Sequence, residues 1–510
     1  VDSLKPLIYI LAISAFVFHL AKPIASGFDS GGNFSRRRNL YFALTALGFL
    51  MPNFWLFTLV AAPLYIWAGR KDTNPAALYL LMLHVVPPIG TDIPFPGLNS
   101  LFSLDNYRLL TICVMIPVAL RLRKSTDPER IRGTTFVDIL ILSYGLLQAI
   151  LFVPPNPSTH VVYQDSFTND LRTAFLAVID SFVPFYVISR FCSKRDTIRE
   201  ALTAFCLACA VMSAIAIFES LRHWLVYTEI AVPWSGDPYL GFTKYRSGGL
   251  RAQVSSGNPL ALGYMLAIAC GFWAYLAPQV QSKRARIGVM LLLWLGIVFT
   301  YSRGPLAGAV LIYVVIAMLG RRALPRLIKG AFGALVLLLL VSLLPVGERL
   351  LRLLPFADKA GDEEMNFSVT YRQRLAERSW EIIQAHPIFG DQLALLKLDD
   401  LRQGEGIIDT VNTWAETAMF YGFVGVAIFS GAILIPMFRA LRVSRQYLHS
   451  DPDFARLGAV LVACILGTLV MLVTCSFILG YQKLFYALAA LAAAYAHLGQ
   501  RQAVASREST

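Results

Sequence analysis

The chain has 510 residues, of which 56% are hydrophobic and 15% charged, with a formal net charge of +13 at pH 7. A soluble domain averages about 45–50% apolar and about 25% charged residues, so most of this chain is expected in lipid. That balance excludes a secreted disulfide scaffold, a disordered hub and a nucleic-acid-binding module. The positive charge is what a membrane protein collects on its cytoplasmic loops, so the bilayer, not nucleic acid, is the inferred surroundings.

Apolar runs of about 17–25 residues between polar breaks are read as membrane spans. They fall near 6–25, 40–68, 74–90, 105–120, 134–153, 172–190, 200–220, 258–277, 286–302, 304–320, 326–345, 422–440, 457–478 and 483–498. The expected fold is therefore an all-α integral membrane protein, a polytopic helical bundle of about 14 spans. The run 40–68 is broken at Met51-Pro52-Asn53, and a hairpin of two short helices there would add a crossing. No cleavable signal peptide is evident, and 6–25 reads as an anchor. All seven cysteines lie in or beside apolar runs; the C-x-x-C at Cys206 and Cys209 is better explained by packing than by metal or redox chemistry.

Short loops set the orientation. Basic clusters at 36–38, 70–71, 121–132, 190–199, 283–286, 321–329, 439–456 and in the C-terminal tail hold more than half of the 45 Lys and Arg. The alternate loops 91–104 and 154–169 carry only Asp92 and Asp165 as charged residues. The basic set is expected in the cytoplasm, with the C-terminus, and the other set outside. A single span at 40–68 would strand the 36–38 cluster outside, which keeps the hairpin as an alternative. Two long outer segments remain, about 221–257 and 346–421. Four regions result: N-terminal helices (1–220), a helical region with the first outer loop (221–345), the large outer loop (346–421), and C-terminal helices with a cytoplasmic tail (422–510). In the large loop Tyr371 to Ile388 has helical periodicity in Leu375, Trp380, Ile382 and Ile383, and reads as an amphipathic interfacial helix ended by His386-Pro387.

Charges near the membrane that topology does not explain lie on the outer side. Lys244, Arg246 and Arg251 stand among glycines before a span that opens at Asn258-Pro259, a pattern suited to an anion such as a phosphate. The plainer reading of Lys244 and Arg246 is a solvated loop gripping lipid headgroups. Arg303, in FTYSRGPLAG, interrupts a long apolar run; its plain reading is a turn, yet its planar fork of donors matches a pyrophosphate. The large loop supplies Arg372, Arg374 and His386, then Arg402, Glu405, Asp409, Asn412 and Glu416 just before a span. His386 suits general-base work or the capping of a helix before proline. A Walker A loop, a zinc-spaced Cys/His cluster and a G-x-S-x-G elbow are absent, and the sole Asp-x-Asp, Asp451-Pro452-Asp453, lies in a cytoplasmic loop. No metal or other cofactor is called for.

GGLRA before a span, T-x-SRG between two spans, HPIFG in a long outer loop and then VNTWAETAMFYGFVG together resemble the O-antigen ligase/O-antigen polymerase superfamily. The motifs cover roughly 240–430, and LRQGEGIIDTVNT is similar to members encoded beside exopolysaccharide genes. The resemblance implies a glycosyltransferase of the bacterial inner membrane, multi-pass, active on the periplasmic face, so that the outer loops are periplasmic. The implied donor is an undecaprenyl-diphosphate-linked oligosaccharide. The acceptor is a growing glycan or lipid A-core, and a flippase and a chain-length regulator are the implied partners. Arg251 and Arg303, with Arg246 and Lys244 beside them, would contact the donor diphosphate; Arg372, Arg374, Arg402 and Asn412 would serve the acceptor side. Many members carry His-Asn where this chain has Val411-Asn412, so the usual base is missing. His386, Asp409 and Glu405 are the local candidates.

A lipid diphosphate leaves readily at neutral pH, so the enzyme must neutralise the departing charge and orient the acceptor hydroxyl. Backside attack would invert the anomeric centre. Surplus arginines and the LRQGEGIIDTVNT likeness favour a polymerase over a ligase. A lipid-linked oligosaccharide transporter is the rival from another class, but transporters commonly show two related halves, and no such repeat is seen.

Overall fold

The computed structural model describes residues 4–29, 32–86, 89–94, 101–151, 167–228, 230, 243–246, 248–342, 363–402, 408–477 and 480–508. Each apolar run becomes a helix. The chain proceeds through Leu4–Ser26, Asn33–Leu50, Phe54–Lys71, Pro75–Val85, Asn106 to Arg123, Phe136–Ile150, Phe167 to Phe191, Arg195–Arg222, Pro259–Leu276, Lys283–Phe299, Arg303–Met318, Ala323–Ser342, Glu363–Ala385, Thr413–Gln446, Pro452–Met471 and Tyr481–Glu508. The starts follow local chemistry. Asn53, Asn74, Asn258, Asn412 and Asp451 cap helices with their side chains, and proline opens three of those five helices, where its missing N–H costs nothing.

Among the described residues, six helices are long and apolar enough to cross a membrane: Leu4–Ser26, Thr168–Phe191, Arg195–Arg222, Pro259–Gln279, Thr413–Gln446 and Pro452–Met471. Pro75–Val85, Phe136–Ile150 and Arg303–Met318 are apolar but shorter. Arg195–Arg222, Pro259–Gln279 and Pro452–Met471 are mostly buried within the protein, whereas Leu4–Ser26 is mostly exposed. The first three form the centre and the N-terminal helix lies at the periphery. Strands are confined to two small antiparallel pairs, Gly90–Asp92 with Ser103–Asp105 and Tyr245–Arg246 with Gly249–Leu250.

The 40–68 run is two helices broken at 51–53, as the hairpin alternative expects. Arg37 on the first limb pairs with Asp72 just past the second, at 2.6 Å, and with Glu200 at 2.7 Å, so both basic clusters lie at one end of the bundle. The same end holds Arg195 against Asp451 and Asp453, Arg199 against Asp453, and Arg501 against Glu129. These contacts join the loops 36–38, 70–74, 127–132, 190–200 and 451–456 and the C-terminal helix. The 250–256, 300–303, 408–416, 472–477 and 480–483 segments gather at the other end.

The long arm of the span expected at 422 does begin there, and the correction concerns 413–421, expected in the outer loop but helical. The Thr413–Gln446 helix contains Gly422 at φ 62°, ψ −166°, a conformation reserved for glycine. Trp414 and Phe429 meet edge to face at 5.5 Å although they sit on opposite arms, each arm roughly 10–12 Å long at helical rise. The helix therefore turns back sharply, and 413–421 is a short arm folded against the bundle. The HPIFG segment fills the elbow: Phe423 N–H donates to Pro387 O at 2.8 Å, and Val424 N–H to Ile388 O at 3.2 Å. A Cβ on Gly422 would overlap the Ile388 carbonyl.

The amphipathic helix of the large loop is present as Glu363–Ala385. Its apolar face is covered by protein rather than lipid: Tyr371, Leu375, Ile382 and Ile383 pack with Leu395, Leu398, Leu401, Ile408, Met419 and Phe420 in a second small core. Trp380, expected on that face, is instead 54% exposed.

Candidate functional site

The site assembles from three turns and one strut. The first turn is the Tyr245–Arg246/Gly249–Leu250 hairpin, closed through Gly248 at φ 75°. Arg251 N–H extends it by donating to Lys244 O at 2.9 Å, and Ala252 N–H donates to Phe299 O at 3.1 Å, fastening the hairpin to the second turn. The Tyr301 ring lies directly on Gly249, where any Cβ would overlap it. Behind the hairpin, the buried carboxylate of Glu219 accepts the backbone N–H groups of Val226, Gln253 and Val254 at 3.1, 3.0 and 2.9 Å. Ser220 Oγ donates to Leu250 O at 2.8 Å.

The second turn, 300–303, receives two arginines. Arg251 donates from Nε to Thr300 O at 3.2 Å and from Nη2 to Ser302 Oγ at 2.8 Å. Arg246 Nη1 donates to Tyr301 O at 3.2 Å. Tyr301 holds φ 48°, and the next helix starts at Arg303. Arg246, Arg251 and Arg303 thus converge within a few residues, all partly buried, while Lys244 is exposed. Guanidinium forks are chemically suited to two-pronged contacts with a diphosphate.

The third turn precedes the short arm. Asp409 N–H donates to the Tyr371 hydroxyl at 3.2 Å, that hydroxyl donates to Asp409 O at 2.9 Å, and Asp409 Oδ1 accepts Val411 N–H at 3.1 Å. Val411 sits at φ 38°. Asn412 caps the arm by accepting from Trp414 and Ala415 N–H. Val254, Tyr301 and Val411 are three of the four non-glycine residues with positive φ among the described residues; Tyr301 and Val411 lie in the second and third turns, and Val254 just after the first. Backbone strain of this kind concentrates at functional sites.

The strut is 472–476, which sequence reasoning read only as the end of a span. Thr413 N–H donates to the carbonyls of Leu472 and Cys475 at 2.9 and 3.0 Å. Thr410 Oγ1 bonds Ser476 Oγ at 2.6 Å. Thr474 Oγ1 bonds the Tyr264 hydroxyl at 3.1 Å, and both crowd Gly304, the residue after Arg303. The strut therefore joins the arginine turn to the 409–416 turn. It continues into a buried ion cluster also missed by the sequence reading: Asp180 accepts from Arg108 Nη2 and Lys483 Nζ, each at 2.9 Å, inside a π-helical turn at Val178–Phe182. An acid or lysine at the edge of an apolar run for Glu219 and Lys483, and an acid in the middle of one for Asp180, was the available signal.

The other sequence candidates are dispersed. His386 is exposed at the elbow, at the far end of the short arm from Asn412. Arg372 and Arg374 are exposed on the Glu363–Ala385 helix. Arg402 pairs with Asp399 at 2.6 Å. Glu405 lies outside the described residues.

Residues 288–430 match the family model for O-antigen ligase. The matched stretch contains Arg303, the large loop and the short arm, and stops short of the GGLRA hairpin. No curated protein matches the chain. The match over 288–430 supports the resemblance of this part of the chain to the O-antigen ligase/O-antigen polymerase superfamily.

Proposed function

We propose that this protein is an inverting, metal-independent glycosyltransferase of the periplasmic face of the bacterial inner membrane. It takes an oligosaccharide from undecaprenyl diphosphate and polymerises repeat units of a surface polysaccharide, O-antigen or exopolysaccharide. The observation that carries the reading is the convergence of Arg246, Arg251 and Arg303 at one turn, with a strut tying that turn to the 409–416 segment.

In this reading Arg251 and Arg303 hold the donor diphosphate, with Arg246 and Lys244 at its rim. Fixed guanidinium groups neutralise the charge that gathers on the leaving diphosphate, so no general acid is required at the departing oxygen. The acceptor hydroxyl approaches from the large loop, with exposed Arg372 and Arg374 available to a second lipid diphosphate. Arg402 and Asn412 have structural work, one pairing with Asp399 and the other capping the short arm.

The family description, O-antigen ligase, favours a second reading in which the glycan passes to lipid A-core. Deleting the gene and examining the glycans separates the two. Loss of the polymerase leaves single repeat units and no long chains. Loss of a ligase leaves full-length polymer on the carrier, and that result would overturn the polymerase reading.

A further inference from the structure

We propose that Glu416 is the group that receives the acceptor hydroxyl's proton, through a relay of Ser476 and Thr410; this rests on the glycosyltransferase reading above. Thr410 Oγ1 donates to Glu416 Oε2 at 2.9 Å and shares a 2.6 Å hydrogen bond with Ser476 Oγ. A hydroxyl has one hydrogen. With Thr410's hydrogen on Glu416, the hydrogen between the two hydroxyls belongs to Ser476. The hydrogens therefore run toward Glu416, which Ser476 also reaches directly, and Ser476 Oγ keeps lone pairs to accept a further proton.

The surroundings set Glu416 apart from the other buried carboxylates. Asp72 and Glu200 are paired with Arg37, Asp138 with Arg190, and Asp180 with Arg108 and Lys483, while Glu219 is bound by three backbone N–H groups. Glu416 is partly buried and, among the described residues, forms no ion pair; it has hydroxyls for company. The ionisable groups around it are Asp409, Tyr144, Tyr421 and Cys475. Among the described residues no cation pairs with its oxygens, and a carboxylate in that state is expected to have a chemical role.

Position completes the case. Thr474, against Gly304 and Tyr264, and Ser476, on Thr410, are two residues apart on one strut, at most about 7 Å along the chain. The entry of the relay is thus beside the turn that carries Arg303. Asp409 has one carboxylate oxygen engaged by Val411 N–H, and His386 is at the elbow. In the step, the acceptor oxygen bonds the anomeric carbon as the bond from that carbon to the diphosphate oxygen breaks. The electron pair leaves with the lipid diphosphate against the arginines, and the hydroxyl proton passes by Ser476 and Thr410 to Glu416, which later returns it to water.

The test uses the full chain in lipid nanodiscs with the lipid-linked repeat unit extracted from the deletion strain. Glu416→Gln should lower kcat by roughly 10²–10⁴-fold with donor KM unchanged. Thr410→Val and Ser476→Ala should each fall between it and the wild type. Formate should restore part of the rate in Glu416→Ala and none in Arg303→Ala. Wild-type-like turnover of Glu416→Gln, within about threefold, would overturn the proposal, as would a loss that formate does not restore. A folded wild type that transfers nothing from the lipid-linked unit brings down the glycosyltransferase reading itself, and with it the relay. An active wild type beside an active Glu416→Gln brings down the relay alone.

Discussion

Arg251 and Arg303 carry the donor reading because of geometry as well as charge. Arg251 grips Thr300 and Ser302, in the turn that ends at Arg303, so the turn that holds one guanidinium also carries the other arginine. Lys keeps the charge but loses the planar fork. Arg303→Lys should therefore lose roughly 10²–10³-fold in kcat, nearly as much as Arg303→Ala, at unchanged protein level, measured as chain elongation per unit of protein. Full activity of Arg303→Lys would reduce the residue to a generic charge. Gly249→Ala should act on the same turn without touching a charge, because its Cβ would displace the Tyr301 ring and shift the carbonyl that receives Arg246. The arginine motifs were legible in the sequence because a charge that topology does not need stands out in an apolar run. Glu416 was less so: its neighbours Thr410 and Ser476 are 66 residues apart, and no local pattern reports their bond.

Among the elements, the short arm 413–421 departs furthest from its sequence expectation, which gave it to the outer loop. A glycine within an apolar run is compatible with a straight span, and Gly422 discloses its role only through Ile388, which fills the elbow. Gly422→Ala requires a side chain at φ 62° against a backbone carbonyl, at a strain of about 1–3 kcal/mol before the clash is counted. It should lower thermal stability and activity together, read by a thermal shift in detergent alongside elongation; an unchanged melting temperature would argue against the elbow. The 51–53 break, by contrast, was legible from Met-Pro-Asn, since proline ends one helix and asparagine caps the next. Arg37, between Asp72 and Glu200, then locks that hairpin to the central helix. Its removal strands two buried carboxylates, so Arg37→Ala should destabilise by about 3–5 kcal/mol. A melting temperature equal to the wild type would contradict that role. Trp380 was misplaced because one helical face could cover either lipid or protein, and the sequence does not say that 394–401 folds back onto it.

For the molecule as a whole, two ends with different chemistry are the organising feature. One gathers the basic loops into ion pairs with Asp72, Asp453 and Glu129; the other holds the strained turns, the arginines and the strut. Hydropathy made the helices legible because an apolar run has few alternatives to a helix in lipid. It could not reveal which loops meet at the outer end, since those contacts join segments from all four regions of the chain. Reporter fusions after residues 127 and 395 should give opposite signals, cytoplasmic and periplasmic; identical signals would put the loops on one side and dismantle the site. The most direct test is elongation by purified protein in nanodiscs supplied only with the lipid-linked repeat unit. The wild type should build long chains and release undecaprenyl diphosphate in step, while Arg303→Ala and Arg251→Ala leave the single unit intact. Equal elongation by the wild type and both arginine variants would contradict the account.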